Sequence, residues 1–171
     1  MSRDGCVTLI EHALHYRDMV PHVATLTRLA SSASSVIELG VRAGVSSWAI
    51  LDGLPGGTTL TSVDLDGRCH RQVPLRVHDD PRWTFLAGDT RNPEVWAGLP
   101  LADLVLIDTS HAYATTRLEL ALAVLQMPRT IVLHDFNERG VEDAVRDFRR
   151  AVPEWQLTVE PSDWGLAVLR R

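Results

Sequence analysis

Apolar positions along the chain follow two rhythms, short dense runs and longer spaced stretches, which alternate from residue 35 onward. The first 30 residues read as helical. Val7, Ile10, Ala13 and Leu14 repeat at helical spacing with Arg17 next in the series, and Pro21 opens a second helical stretch holding Val23, Leu26, Leu29 and Ala30. Proline is tolerated in a first turn because its missing N–H would find no partner there. After Ser31–Ser34 breaks that pattern, Ser35–Gly40, Thr59–Leu65, Trp83–Gly88, Leu104–Asp108 and Thr130–Leu133 read as strands. Residues 45–54, 92–99 and 112–126 between them read as helices, and the polar, His- and Arg-rich residues 67–78 as a short helix or loop. Val141, Ala144, Val145, Phe148, Ala151 and Val152 mark a strongly amphipathic helix, and two closing strands, Trp155–Val159 and Leu166–Leu169, flank the turn Ser162–Gly165.

Strands alternating with helices predict an α/β fold with a doubly wound, mostly parallel sheet. The runs at 104–107 and 130–133 are apolar throughout, as strands covered on both faces must be. The last two strands are joined by too short a turn for a parallel crossover, so they are expected to pair antiparallel. The expected architecture is a seven-stranded sheet with an antiparallel final hairpin. No linker, repeat or low-complexity stretch interrupts it, which predicts one domain: N-terminal helices over 1–34 and a core over 35–171.

Composition narrows the chemistry. The 171 residues suffice for a full core without disulfides or metals. All 17 basic residues are arginine. The missing lysine excludes a P-loop NTPase, a protein kinase and pyridoxal-phosphate chemistry, each of which needs one. A net charge of −5 argues against non-specific nucleic-acid binding. Cys6 and Cys69 form neither a C-x-x-C pair nor a disulfide framework. There is no apolar run long enough for a membrane helix, and Met1–Gly5 lacks the build of a signal peptide, so the expected location is the cytoplasm, with no membrane partner.

Ligands of open α/β sheets sit outside the carboxyl ends of the strands. Those ends carry Glu38 and Gly40, Asp64, Gly88-Asp89, Asp108 and His134-Asp135. The first turn, Glu38-Leu39-Gly40-Val41-Arg42-Ala43-Gly44-Val45-Ser46-Ser47, is E-x-G-x-x-x-G rather than the G-x-G-x-x-G of nicotinamide and flavin folds. Gly40 and Gly44 allow close backbone approach, the following helix N-terminus favours a carboxylate, Ser46 adds a hydroxyl, and Arg42 could pair with that carboxylate. Glu38 would repel a pyrophosphate but suits an ammonium. Asp64, about 20 residues beyond the turn, stands where an acid grips ribose hydroxyls. An amino acid joined to a nucleoside meets both demands.

This combination resembles the class I S-adenosylmethionine-dependent methyltransferases over almost the whole chain. ELGVRAGVSS is similar to the first motif of the catechol O-methyltransferase-like group. It is closer still to the macrocin-type sugar O-methyltransferases and cephalosporin-hydroxylase-like proteins, with Asp108-Thr109-Ser110-His111 as a D-x-x-H step and His134-Asp135 after the fifth strand. The resemblance implies S-adenosylmethionine as cofactor, with Glu38, Gly40, Gly44 and Ser46 around the methionine moiety, Asp64 on the ribose and Asp89 at the adenine edge. Asp108 would bind the cofactor as well. It also implies a divalent metal at Asp108, His134 and Asp135. The family usually has an oxygen ligand where this chain has His134, and imidazole suits zinc, iron, copper or nickel better than magnesium. The same histidine could instead pack beside the sheet and bond a backbone group. His111, one turn after Asp108, is the candidate base.

Methyl transfer to a hydroxyl of a small molecule or natural-product sugar is therefore the expected activity, with a metal lowering the hydroxyl's pKa. The alternatives are a cofactor-binding module without chemistry or a cephalosporin-hydroxylase-like protein; a nicotinamide oxidoreductase is disfavoured by Glu38 and the first turn. No insertion long enough to be a lid follows the fifth or sixth strand, so either a second subunit in a homo-oligomer or a bulky acceptor is expected to cover the site.

Overall fold

The computed structural model describes residues 9–171. Its seven strands are β1 (Ser35–Leu39), β2 (Thr59–Asp64), β3 (Trp83–Ala87), β4 (Leu104–Ile107), β5 (Thr130–His134), β6 (Gln156–Glu160) and β7 (Leu166–Arg170). They form one sheet in the order β3-β2-β1-β4-β5-β7-β6. The first five are parallel, and β7 runs antiparallel between β5 and β6. The antiparallel hairpin expected from the short turn is thus present, with β7 inserted beside β5. The helices are α1 (Leu9–Ala13), α2 (Val23–Ala30), α3 (Val45–Gly53), α4 (Leu75–His78), α5 (Pro93–Ala97), α6 (Tyr113–Leu125) and α7 (Arg139–Ala151).

The pleat sends alternate residues of each central strand into two cores. Val36, Leu60, Leu104, Leu106, Val132 and Val168 pack on one face, against Leu26 of α2 and Trp48 and Ile50 of α3. Ile37, Val63, Val105, Ile131, Leu133 and Leu169 pack on the other, against Trp96, Leu120, Val141 and Trp155. Strand order reverses between β1 and β4, whose neighbours lie on opposite sides, and this switch point opens the ligand crevice.

The N-terminal stretch is less helical than its spacing predicts. α1 ends at Ala13, turns run through Met19, and a 3-10 turn at Val20–His22 leads into α2. Contacts with the first turn hold this path: His12 Nε2, on α1, lies 2.9 Å from the Ala43 carbonyl oxygen, and Asp18 in the intervening turns pairs with Arg42. Val7, Cys6 and the Met1–Gly5 stretch lie outside the described residues. α7 begins at Arg139, two residues earlier than the apolar spacing marks. Gly140 lets its first turn close onto the loop before α6, since a Cβ there would stand 2.1 Å from the His111 carbonyl oxygen. No helix among the described residues is long and apolar enough to cross a membrane.

Candidate active site

A cavity of about 690 Å³ lies over the switch point. It runs from Asp89 beside β3, past Gly40–Arg42 and Asp64, to Asp108, His111, Asp135 and Trp164. Its floor is the turn after β1. Gly40 has φ +86°, and a Cβ there would lie 1.9 Å from the Asp108 carbonyl oxygen, so the turn and the end of β4 touch backbone to backbone. Gly44, at φ +72°, caps α3 against Val73 and does not itself line the cavity. Between them Arg42 holds φ 47°, a left-handed conformation that costs a non-glycine residue energy. Asp64 steadies this strained turn: one oxygen accepts from the Val41 and Arg42 N–H groups at 2.8 and 3.3 Å, the other from Asp66 N–H at 2.8 Å. It lines the cavity as well.

Glu38 and Ser46 require a correction. Strand alternation puts Glu38 on the same face as Val36, under α3, and it is fully buried. Ser46 donates to one carboxylate oxygen at 2.5 Å; Ser47 and Ser62 donate to the other at 2.7 and 2.5 Å. Neither Glu38 nor Ser46 lines the cavity. Burial raises the Glu38 pKa to about 7, against the three hydroxyls, so this carboxyl pins α3 to β1 and β2 rather than meeting an ammonium. Arg42 lines the cavity and is paired through one nitrogen: its guanidinium Nη2 donates to both Asp18 oxygens at 2.9 and 2.7 Å, and the group stands over the Tyr16 ring.

At the opposite end, Asp89 lines the cavity and is held bidentately by Arg91, whose hydrogen bonds bring its pKa down to about 2. Behind it lies Glu119 of α6, which the sequence reading missed. It is fully buried, accepts from Thr90 at 2.5 Å and from Thr109 at 2.7 Å, and so ties the loop after β3 to the loop after β4. Burial raises its pKa despite those hydroxyls. A signal was available: Thr116, Glu119, Leu120 and Ala123 share one buried helical face, and a carboxylate there needs a reason.

The end of the cavity that carries Asp108 and Asp135 is built by β4 and β5. Asp108 and Asp135 both line the cavity, Asp135 at φ 53°. His111 Nε2 lies 2.8 Å from Asp135 Oδ2. One ligand atom each from Asp108, His111 and Asp135 lies within 4.8 Å of the others, close enough to surround one cation. His134 is not in that set, which corrects the expected ligand trio. As the last residue of β5 it shares the face of Val132, is buried, and stacks edge-on against His22 at 5.3 Å. Its Nδ1 faces Asp135 Oδ2 at 2.9 Å and Asp108 Oδ1 at 3.4 Å, while Nε2 meets the Asp18 carbonyl oxygen at 3.2 Å. Every neighbour is an acceptor, so both ring nitrogens carry protons. Burial opposes that charge, but the two carboxylates overcome it and raise the His134 pKa to about 10. In turn, although burial disfavours its charge, contact with the two imidazoles keeps Asp135 below the usual carboxylate range.

A sequence-family model described as a methyltransferase domain matches residues 37–136, from β1 through the end of β5. Comparison with curated proteins finds no match. Among solved structures, an O-methyltransferase from Bacillus cereus in complex with SAH aligns with TM-score 0.73 at 14% identity, over 98% of this chain and 94% of that one. TomG from Streptomyces achromogenes, an O-methyltransferase involved in tomaymycin synthesis and bound to SAM, aligns with TM-score 0.69 at 14% identity, over 99% and 90%. The SAH-bound Podospora anserina methyltransferase PaMTH1 aligns with TM-score 0.71 at 14% identity, over 95% and 86%. At such identities the structures establish the fold, which is the Rossmann-like methyltransferase fold. With more than half its length matched by the family model, the chain belongs to this methyltransferase family, as an S-adenosylmethionine-dependent enzyme.

Proposed function

We propose that the protein transfers the methyl group of S-adenosylmethionine to a hydroxyl oxygen of a small-molecule acceptor bound between His111, Asp135 and Trp164. The observation that carries this reading is the His111–Asp135 pair, 2.8 Å apart at the reacting end of a cavity floored by the glycine turn. Asp135 accepts the proton on His111 Nε2 and so fixes the tautomer, leaving Nδ1 as the acceptor atom. The hydroxyl oxygen attacks the sulfonium methyl in line, the sulfur–carbon bond breaks, and the hydroxyl proton passes to His111 Nδ1. S-adenosylhomocysteine and the methyl ether leave. The remaining rate enhancement comes from holding two substrates in register. Asp89 at the far end would bond the adenine edge and Asp64 the ribose, with Gly40 allowing close approach.

A second reading is metal assistance, favoured by the clustering of the Asp108, His111 and Asp135 ligand atoms within 4.8 Å. The donor set of two carboxylates and one imidazole fits a divalent cation. When bound there, such an ion would lower the pKa of the acceptor hydroxyl. His134, lying beneath Asp108 and Asp135, would hold both carboxylates in place for it.

The test is release of S-adenosylhomocysteine across a panel of hydroxyl compounds, natural-product sugars among them, before and after exhaustive chelation. His111→Ala is expected to lower turnover by about 100-fold or more while leaving S-adenosylhomocysteine affinity unchanged. Full activity in that variant would remove the base role. Activity lost on chelation and restored by one divalent ion would establish the metal reading. Cofactor binding with no turnover on any acceptor would favour a binding module.

A further inference from the structure

The cofactor's amino-acid end carries an ammonium beside a carboxylate, and a cavity that takes it must offer an acceptor to one and a donor to the other. Glu38 is withdrawn under α3, with both oxygens occupied by hydroxyls. Asp64 is engaged by three backbone N–H groups, and Asp108 and Asp135 share the His134 imidazole. Asp18 differs from all of these. It comes from the turns between α1 and α2 and stands in the cavity wall beside Gly40–Arg42 with its side chain 21% exposed. Its carboxylate meets only the Arg42 guanidinium among the described hydrogen bonds, while its own carbonyl is held from behind by His134 Nε2. Two acceptor sites on a carboxylate and most of the donors on a guanidinium therefore remain available, side by side, in the cavity wall beside the first turn.

We propose that Asp18 and Arg42 together read the cofactor's zwitterion, Asp18 accepting hydrogen bonds from the α-ammonium while Arg42 donates to the α-carboxylate. This rests on the methyl-donor reading of the cavity. Opposite charges placed alternately, ligand ammonium on Asp18 and ligand carboxylate on Arg42, add attractions without breaking the existing ion pair. The stretch before α2 is then part of the binding site, and Arg42 is strained at φ 47° where its guanidinium reaches both Asp18 and the ligand.

Calorimetric titration of the full chain with two probes tests this: S-adenosylhomocysteine, and 5′-methylthioadenosine, which keeps the nucleoside and thioether but lacks the amino-acid end. Asp18→Asn removes the charge and keeps the shape. It is expected to weaken S-adenosylhomocysteine by about tenfold or more, the scale of a hydrogen bond between charged groups, and to leave 5′-methylthioadenosine unchanged. Unchanged S-adenosylhomocysteine affinity overturns the proposal. Equal loss for both probes also overturns it, since a purely structural residue would behave that way. Failure of the wild-type chain to bind either probe would instead overturn the methyl-donor reading, and the proposal with it.

Discussion

At the glycine turn, each polar side chain has a partner inside the protein: Glu38 three serines, Asp64 backbone amides, and Arg42 the Asp18 carboxylate, which engages one of its guanidinium nitrogens. At the ends of β4 and β5 the carboxylates of Asp108 and Asp135 instead face the cavity, supported from below by a buried imidazolium. One end is a shape made of backbone, held by internal bonds. The other is a set of charged side chains that face the cavity. The two meet where the Gly40 backbone touches the Asp108 carbonyl.

That junction is the place to break both ends at once. Gly40→Ala puts a Cβ 1.9 Å from the Asp108 carbonyl oxygen at a φ of +86°. The expected cost is about 4 kcal/mol or more in denaturant unfolding, together with loss of S-adenosylhomocysteine binding. A stable variant that still binds would show that the turn can shift and that the two ends are less coupled than their contact implies.

His134→Leu attacks the reacting end alone. It leaves two neighbouring carboxylates without their buried counter-charge, an expected loss of about 3–5 kcal/mol by denaturant unfolding. A loss below about 1 kcal/mol would mean that water or a cation already balances Asp108 and Asp135.

Glu38→Gln probes the other end through pH. The Glu38 pKa is raised from 4.5 to about 7 in the fold. Its protonated form is the one the fold favours, so its stabilising contribution is complete below pH 4.5 and is lost as pH rises through 7. Relative to Glu38→Gln, the wild-type chain should therefore lose on the order of 3 kcal/mol between about pH 4 and pH 8. The opposite slope in paired unfolding curves would show that the three hydroxyls stabilise the charge more than burial penalises it.

The smallest effect is expected from Asp64→Ala, which frees the Val41 and Arg42 N–H groups in a partly exposed turn. S-adenosylhomocysteine affinity should fall by about 1–2 kcal/mol, read by calorimetry. Unchanged affinity would mean that the glycines alone hold the turn and that Asp64 makes no contact with the ribose.

The strands, the antiparallel hairpin and the sheet end that carries the site were legible because alternation and short turns are local properties. Gly40 was legible for the same reason: its neighbours in sequence require a tight turn. The partners of the polar side chains were harder to read. Strand alternation places Glu38 with Val36 and His134 with Val132 on the face covered by α2 and α3, but Asp64 and Asp108 share that parity and still line the cavity, so alternation alone does not tell a buried strand-end acid from an open one. Glu119 was hidden among the apolar residues of α6, where only its buried helical spacing marked it.

The sequence by itself determined where the backbone must turn, which residues enter the two cores and which acids stand at the strand ends, since each follows from steric and hydrophobic preferences acting over a few residues. Only the tertiary structure decided which charge meets which. Asp18 reaches Arg42 across 24 residues, and His134 reaches the Asp18 carbonyl across 116. Hydrogen bonds and ion pairs act over a few ångströms in space with no regard for separation along the chain, so their pairing exists only once the sheet has brought those segments together.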